Sequence, residues 1–273
     1  MDIAWFITDP LGLLLLFVAL GLVAGVLAGM FGIGGGLVLV PVLVWLFNGL
    51  GFAPELLVQM AIGTSLGAIV PTAMLSAYGH YRKAAVDSWA IRRLLVPIIL
   101  GAILGAVLAL QMDGRALARV FGVFEIVIAL WLLANYRPAA QQVARLWVWW
   151  SAGLGIGSLS ALIGIAGGTL TTPFLLTQGY AIRRAIGSAA GLGIPIAIAG
   201  SLVYAAPSLL PTTLDVPAWS LGYIYLPAVV GIALGAAISV RLGVWLTHHL
   251  PVNTLRRGFA LVLMLAGVYM VTH

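Results

Sequence analysis

The chain has 273 residues, of which 63% are hydrophobic and only 7% charged, with a formal net charge of +6 and no cysteine. An ordinary soluble domain carries about 25% charged residues, so a water-facing surface and a large soluble core are both excluded, and the missing cysteines exclude disulfides, thiolate metal sites and thiol chemistry. The positive balance does not point to nucleic acid, because the 13 Lys and Arg fall in short clusters between apolar runs, as in cytoplasmic membrane loops.

The N-terminus, MDIAWFITDP, lacks a basic region and carries Asp2 and Asp9. It does not read as a cleaved secretory signal, so the apolar run behind it is expected to stay in the protein. A membrane span needs about 20 apolar residues. Runs of this kind predict ten segments, at 11–30, 33–48, 59–79, 94–111, 118–135, 147–163, 165–178, 185–206, 221–240 and 257–272. All are expected to be helical, because lipid offers the backbone no hydrogen-bond partner and the runs lack the alternation of a barrel. The segments 33–48 and 165–178 are short, and each follows a glycine cluster.

The chain repeats itself. GLVAGVLAGMFGIGGGLVLVP (Gly21 to Pro41) aligns without gaps on GLGIGSLSALIGIAGGTLTTP (Gly153 to Pro173), with nine of 21 positions identical, among them Gly21, Gly25, Gly32, Gly35, Gly36 and Pro41. AIGTSLGAIVP (Ala61 to Pro71) matches AIGSAAGLGIP (Ala185 to Pro195), and VPIILGAILGA (Val96 to Ala106) matches LPAVVGIALGA (Leu226 to Ala236). The order and spacing predict two repeats of five segments, 1–136 and 147–273, joined by a polar cytoplasmic linker at 137–146. Trp147, Trp149 and Trp150 follow the linker, where an interfacial anchor belongs.

Five is odd, so the second repeat must enter the membrane inverted. With the N-terminus outside, Arg82, Lys83, Arg92, Arg93, Arg137, Arg145, Arg183, Arg184, Arg241, Arg256 and Arg257 fall inside, and only Arg115 and Arg119 fall outside. That bias has the sign expected when both termini lie outside and the basic loops face the cytoplasm. Asp2, Asp9, Glu55, Asp113 and Asp215 lie outside in this arrangement, and Asp87 lies inside.

Inverted repeats with glycine-broken helices are a transporter design, in which the breaks expose backbone amides and positively polarised helix N-termini near the midplane. The predicted breaks are Gly32-Ile33-Gly34-Gly35-Gly36 and Gly164-Ile165-Ala166-Gly167-Gly168. Residues 11–48 and 147–178 are therefore expected to form helical hairpins. The ladders Gly21/Gly25/Gly29, Gly101/Gly105 and Gly231/Gly235 read instead as close helix packing. Hydroxyls gather near the breaks: Thr169, Thr171 and Thr172 follow the second cluster, and Thr64, Ser65 and Ser188 open the matched AIG segments. Amides and hydroxyls together make a neutral, donor-rich pocket that can hold an anion without an arginine. The expected binding residues are Gly32, Gly34, Gly35, Gly36, Gly164, Gly167, Gly168, Thr169, Thr64, Ser65 and Ser188.

Glu125 is the one acid well inside a predicted span, which makes it a candidate coupling residue; the plainer reading is a protonated carboxyl, or one paired with Arg119. His80 ends the third segment, where it could answer to pH or simply sit in a loop. His248, His249 and His273 complete the histidines, and none has metal-ligand spacing with a carboxylate. No metal or other cofactor is expected.

The paired glycine clusters, the AIG(T/S) segments and the P-x3-G-x2-LGA segments together resemble the TauE/SafE sulfite exporter family over nearly the whole chain. The resemblance implies a bacterial inner-membrane transporter exporting sulfite, sulfonates or related anions. It assigns the binding role to Gly32–Gly36 and Gly164–Gly168, with Ala166 standing where the first cluster has Gly34. The competing expectation is a proton- or sodium-coupled transporter of another small solute, with Glu125 as its coupling residue. An enzyme is not expected, because paired intramembrane aspartates, a HExxH run and a nucleophile–histidine pair are all lacking. Besides lipid and a small anion, the expected partners include a second copy in a homodimer, and no nucleic acid.

Overall fold

Long apolar runs close their backbone hydrogen bonds internally, and the computed structural model is accordingly helical throughout most of its length. It describes residues 10–31, 35–134, 145–209, 216–249 and 252–272, excluding the side chains at positions 31, 132, 247–249, 252–256 and 259. Asp2, Asp9, Gly32, Gly34, Arg137, Asp215, His273 and most of the linker expected at 137–146 lie outside the described residues. The described residues form α1 (Pro10–Phe31), α2 (Gly36–Gly49), α3 (Leu57–Tyr81), α4 (Ser88–Gln111), α5 (Gly114–Leu133), α6 (Leu146–Ile163), α7 (Gly168–Thr177), α8 (Ile182–Ala205), α9 (Leu226–His249) and α10 (Val252–Thr272). Among them α1, α3, α4, α6, α8 and α9 are long and apolar enough to cross a membrane.

The ten helices fall where the ten apolar runs predicted them, with differences at the ends. α4 begins at Ser88 rather than 94, and α9 continues to His249 rather than stopping at 240. Arginines that read as loop residues are helical, because a long side chain can lie along a helix end and keep its guanidinium wet; Arg92 and Arg241 are both exposed. The purely helical expectation misses a two-residue antiparallel hairpin, β1 (Ser220–Leu221) with β2 (Ile224–Tyr225), turned at Gly222 with φ +56°.

Helix packing follows the small residues. Gly21, Gly25 and Gly29 of α1 lie on Ile232, Ala236 and Val240 of α9, and Gly231, Gly235 and Gly243 answer on Phe17, Val18 and Val26. Gly101 and Gly105 of α4 lie on Leu154 and Ser158 of α6 in the same way. A β-carbon at any of these positions would enter the neighbouring helix, so the ladders act as packing seams. α3 packs on α8, and α5 packs on α10 at Gly122 and Gly267. The main pairings are unchanged when the first five helices exchange places with the last five: α1 with α9 becomes α6 with α4, and α3 with α9 becomes α8 with α4.

Candidate functional site

The two short helices α2 and α7 are 14 and 10 residues long, or about 21 Å and 15 Å at 1.5 Å per residue. Each is preceded by a glycine turn. Gly35 has φ +78° at the start of α2, and Gly164 has φ +72° at the end of α6, a left-handed backbone that side chains resist. Neither α2 nor α7 has a side chain capping its N-terminus.

The turns meet. A β-carbon on Gly36 would run into the Gly164 carbonyl and stand 2.8 Å from Ile165 Cα. Gly164 is wedged between Ile62 and Val40, and its carbonyl accepts a 2.8 Å hydrogen bond from Ser65 Oγ. Gly193 of α8 brings its Cα face to within reach of Ala166 and the Gly167 amide, and Ile196 covers Gly167. Ile69, Ala73, Ala166 and Ala197 form a small apolar shell about this contact. Of the residues expected to bind, the fold therefore brings together Gly35, Gly36, Gly164, Gly167, Gly168, Thr169 and Ser65.

Hydroxyls beside the second turn have no partner. Thr169 and Thr171 are buried, and their oxygens, with that of Thr172, make no hydrogen bond. Ser160 belongs with them: it is fully buried, its hydroxyl has no partner, and it lies one turn before Gly164. Its spacing of four residues from Gly164 is the signal that could have found it from sequence.

Thr64 and Ser188 go elsewhere. Thr64 Oγ1 accepts from the Tyr225 amide at 3.0 Å, and Ser188 Oγ accepts from the Asp87 amide at 2.8 Å. Next to them, Gly63 lies against the Tyr223 carbonyl and Gly187 against that of Ala85. The Tyr223 amide donates to Tyr204 and the Ala85 amide to His80. These are two copies of one latch, each tying a long helix to the entry of a helix from the other half of the chain. His80 is buried at the end of α3 as part of the second latch.

The surroundings of the two latches differ. Around Tyr225, Phe47 stacks on Phe52 at 4.7 Å, and Tyr225 meets Phe17, Phe47 and Phe52 edge-on. Around Asp87 lies an open depression of about 610 Å³ lined by Trp89, Gln178, Gly179, Tyr180, Ala181 and Arg184. The Asp87 carboxylate caps α4 by accepting from the Trp89 and Ala90 amides. The Arg93 guanidinium lies 4.0 Å over Trp89, which meets Trp149 edge-on. Burial and the Asp87 charge push the Tyr180 phenol above its ordinary range, against the pull of Arg93 and Arg184.

Glu125 stands apart from the turns. It is fully buried between α5 and α10, where Gly267 faces its Cβ, and neither carboxyl oxygen has a partner. The pairing with Arg119 weighed from sequence does not form.

The model of the family described as Sulfite exporter TauE/SafE matches residues 17–270. A "Probable membrane transporter protein" of Haemophilus influenzae is 36% identical over 259 residues, covering 94% of this chain and 97% of that one. The "Probable membrane transporter protein MJ0441" of Methanocaldococcus jannaschii is 26% identical over 262 residues, 94% of this chain and 95% of its own. The "Probable membrane transporter protein YunE" of Bacillus subtilis is 30% identical over 181 residues, 59% of this chain and 66% of its own. No solved structure matches the chain.

Proposed function

The chain belongs to the TauE/SafE sulfite exporter family and is a membrane transporter, and from that premise we propose that it exports a small sulfur-containing anion, sulfite or a sulfonate, by alternating access between two inverted repeats. The observation that carries the proposal is the meeting of Gly36 with Gly164 and Ile165, beside helix N-termini that no side chain caps and hydroxyls that have no partner. Backbone amides at a helix N-terminus favour negative charge. Thr169, Thr171 and Ser160 supply hydroxyl donors, and Ser65 donates to the Gly164 carbonyl and so partly satisfies it. Oxygens of a sulfite or sulfonate group are acceptors for such donors.

The repeats would be 1–136 and 147–273 about the linker 137–146. The exchangeable helix pairing and the two equivalent latches support this division. The basic residues favour an orientation in a bacterial inner membrane with both termini periplasmic, and hence the Asp87 latch on the cytoplasmic side. Export then needs no driving ion in principle, since moving one negative charge out of a cell with a negative interior is favourable by about 2.3 kcal/mol per 100 mV. The decisive experiment is flux of labelled sulfite, or of a two- or three-carbon sulfonate, from liposomes holding the purified protein, with and without an imposed potential. Faster efflux under the potential is expected, and silence toward every sulfur oxyanion would refute the cargo.

A further inference from the structure

Aligning the last helix of each half sets RVFGVFEIVIALWLL (Arg119 to Leu133) on RGFALVLMLAGVYMV (Arg257 to Val271), with Phe121 on Phe259, Glu125 on Leu263 and Trp131 on Tyr269. Glu125 and Leu263 are both fully buried. One half therefore fills this place with a leucine, and the other fills it with a carboxyl whose two oxygens have no hydrogen-bond partner. Packing alone asks for the leucine. An unpartnered polar group in the interior costs about 1–3 kcal/mol, and more when charged, so the acid is kept against stability.

α3, α6 and α10 pack on α5. Their titratable groups among the described residues are Tyr78, His80 and Tyr81 near one end of α3, and Arg257 and Tyr269 on α10. Neither oxygen of the Glu125 carboxyl takes a hydrogen bond from any of them, nor from Arg115 and Arg119 of its own helix. Sodium would need several oxygen ligands, and one carboxyl facing Gly267 and apolar neighbours does not supply them. The ligand that fits is a proton.

We propose that Glu125 is a proton-binding site carried by one half of the transporter only, loaded while the α5–α10 seam is closed and unloaded when that seam opens to water. The ionised carboxyl is tolerated only where water reaches it. Proton binding and seam opening are thus linked, and by reciprocity each shifts the other. Coupling to cargo rests on the transport reading above, whereas the proton site itself does not.

The test has two arms. Infrared spectra of the purified protein, cycled between mildly acidic and mildly alkaline buffer, should show a carboxyl band that changes reversibly, is absent from Glu125→Gln and Glu125→Leu, and persists, shifted, in Glu125→Asp. In liposomes carrying a pH dye, wild-type flux of a simple alkylsulfonate, which unlike bisulfite has no proton of its own to release, should carry protons with it, and both substitutions should reduce that proton movement to the level of empty vesicles. Glu125→Leu should melt no lower than the wild type, which separates loss of the site from loss of the fold. A carboxyl band that ignores pH, or proton movement intact in Glu125→Leu, would overturn the proposal. Absence of sulfonate flux with a titrating band would instead count against the cargo alone.

Discussion

At one end of the molecule Thr64 holds the Tyr225 amide while Gly63 lies on the Tyr223 carbonyl; at the other, Ser188 holds the Asp87 amide while Gly187 lies on that of Ala85. The hydrogen-bond skeleton is the same. Around Tyr225 it is dressed with Phe17, Phe47 and Phe52, and around Asp87 with Trp89, Trp149, Arg93 and Arg184. Aromatic edges and faces pack one surrounding as an apolar cluster, whereas the other holds a guanidinium over indole beside an open depression. The same backbone tie is thus set in an apolar surrounding at one place and in a charged one at the other.

The largest test is of the skeleton itself. Gly63→Val and Gly187→Val should each cost about 3 kcal/mol through overpacking against backbone, seen as a lower melting temperature in detergent. Similar losses at both ends would support one shared latch, and an intact protein in either case would break it. Next in size are the hydroxyls. Thr64→Val and Ser188→Ala each leave a partly buried amide without its acceptor, a cost of about 1 kcal/mol. The two should differ in direction: with a single cysteine at Ala73, in a chain that otherwise has none, thiol labelling should rise from the Asp87 side in Ser188→Ala and from the Tyr225 side in Thr64→Val. Equal labelling from both sides would show that the latches do not close separate mouths. Smallest is Arg93→Gln, which removes a cation–π contact worth about 0.5–1 kcal/mol. It should weaken anion uptake from the Asp87 side and flatten its salt dependence, and leave uptake from the Tyr225 side unchanged.

Much of this architecture is written locally. Gly35 and Gly164 adopt left-handed backbone where the clusters predicted turns, and α2 and α7 are short where the apolar runs were short. The ladders at Gly21, Gly101 and Gly231 announce seams because small residues at a spacing of four can serve little else. The latches were illegible for a physical reason. The partner of Thr64 lies 161 residues away and that of Ser188 lies 101 residues away, and a hydroxyl carries no mark of which distant amide it will meet. Each hydroxyl accepts from its distant amide and so ties two helices together. Helix ends were misjudged where Arg92 and Arg241 suggested loops, since sequence does not reveal whether a long cationic side chain sits beyond a helix or lies back along it.

Gly36 rests on Gly164 and Ile165 with no side chain between them. Contact of bare backbone leaves no room for a solute, so under the proposed function an anion would lodge there only by separating the two hairpins by its own diameter. The size of the cargo would then fix the stroke of the machine. An empty pair of turns would close on itself as a plug, letting a charged membrane carry this protein at rest without leaking ions.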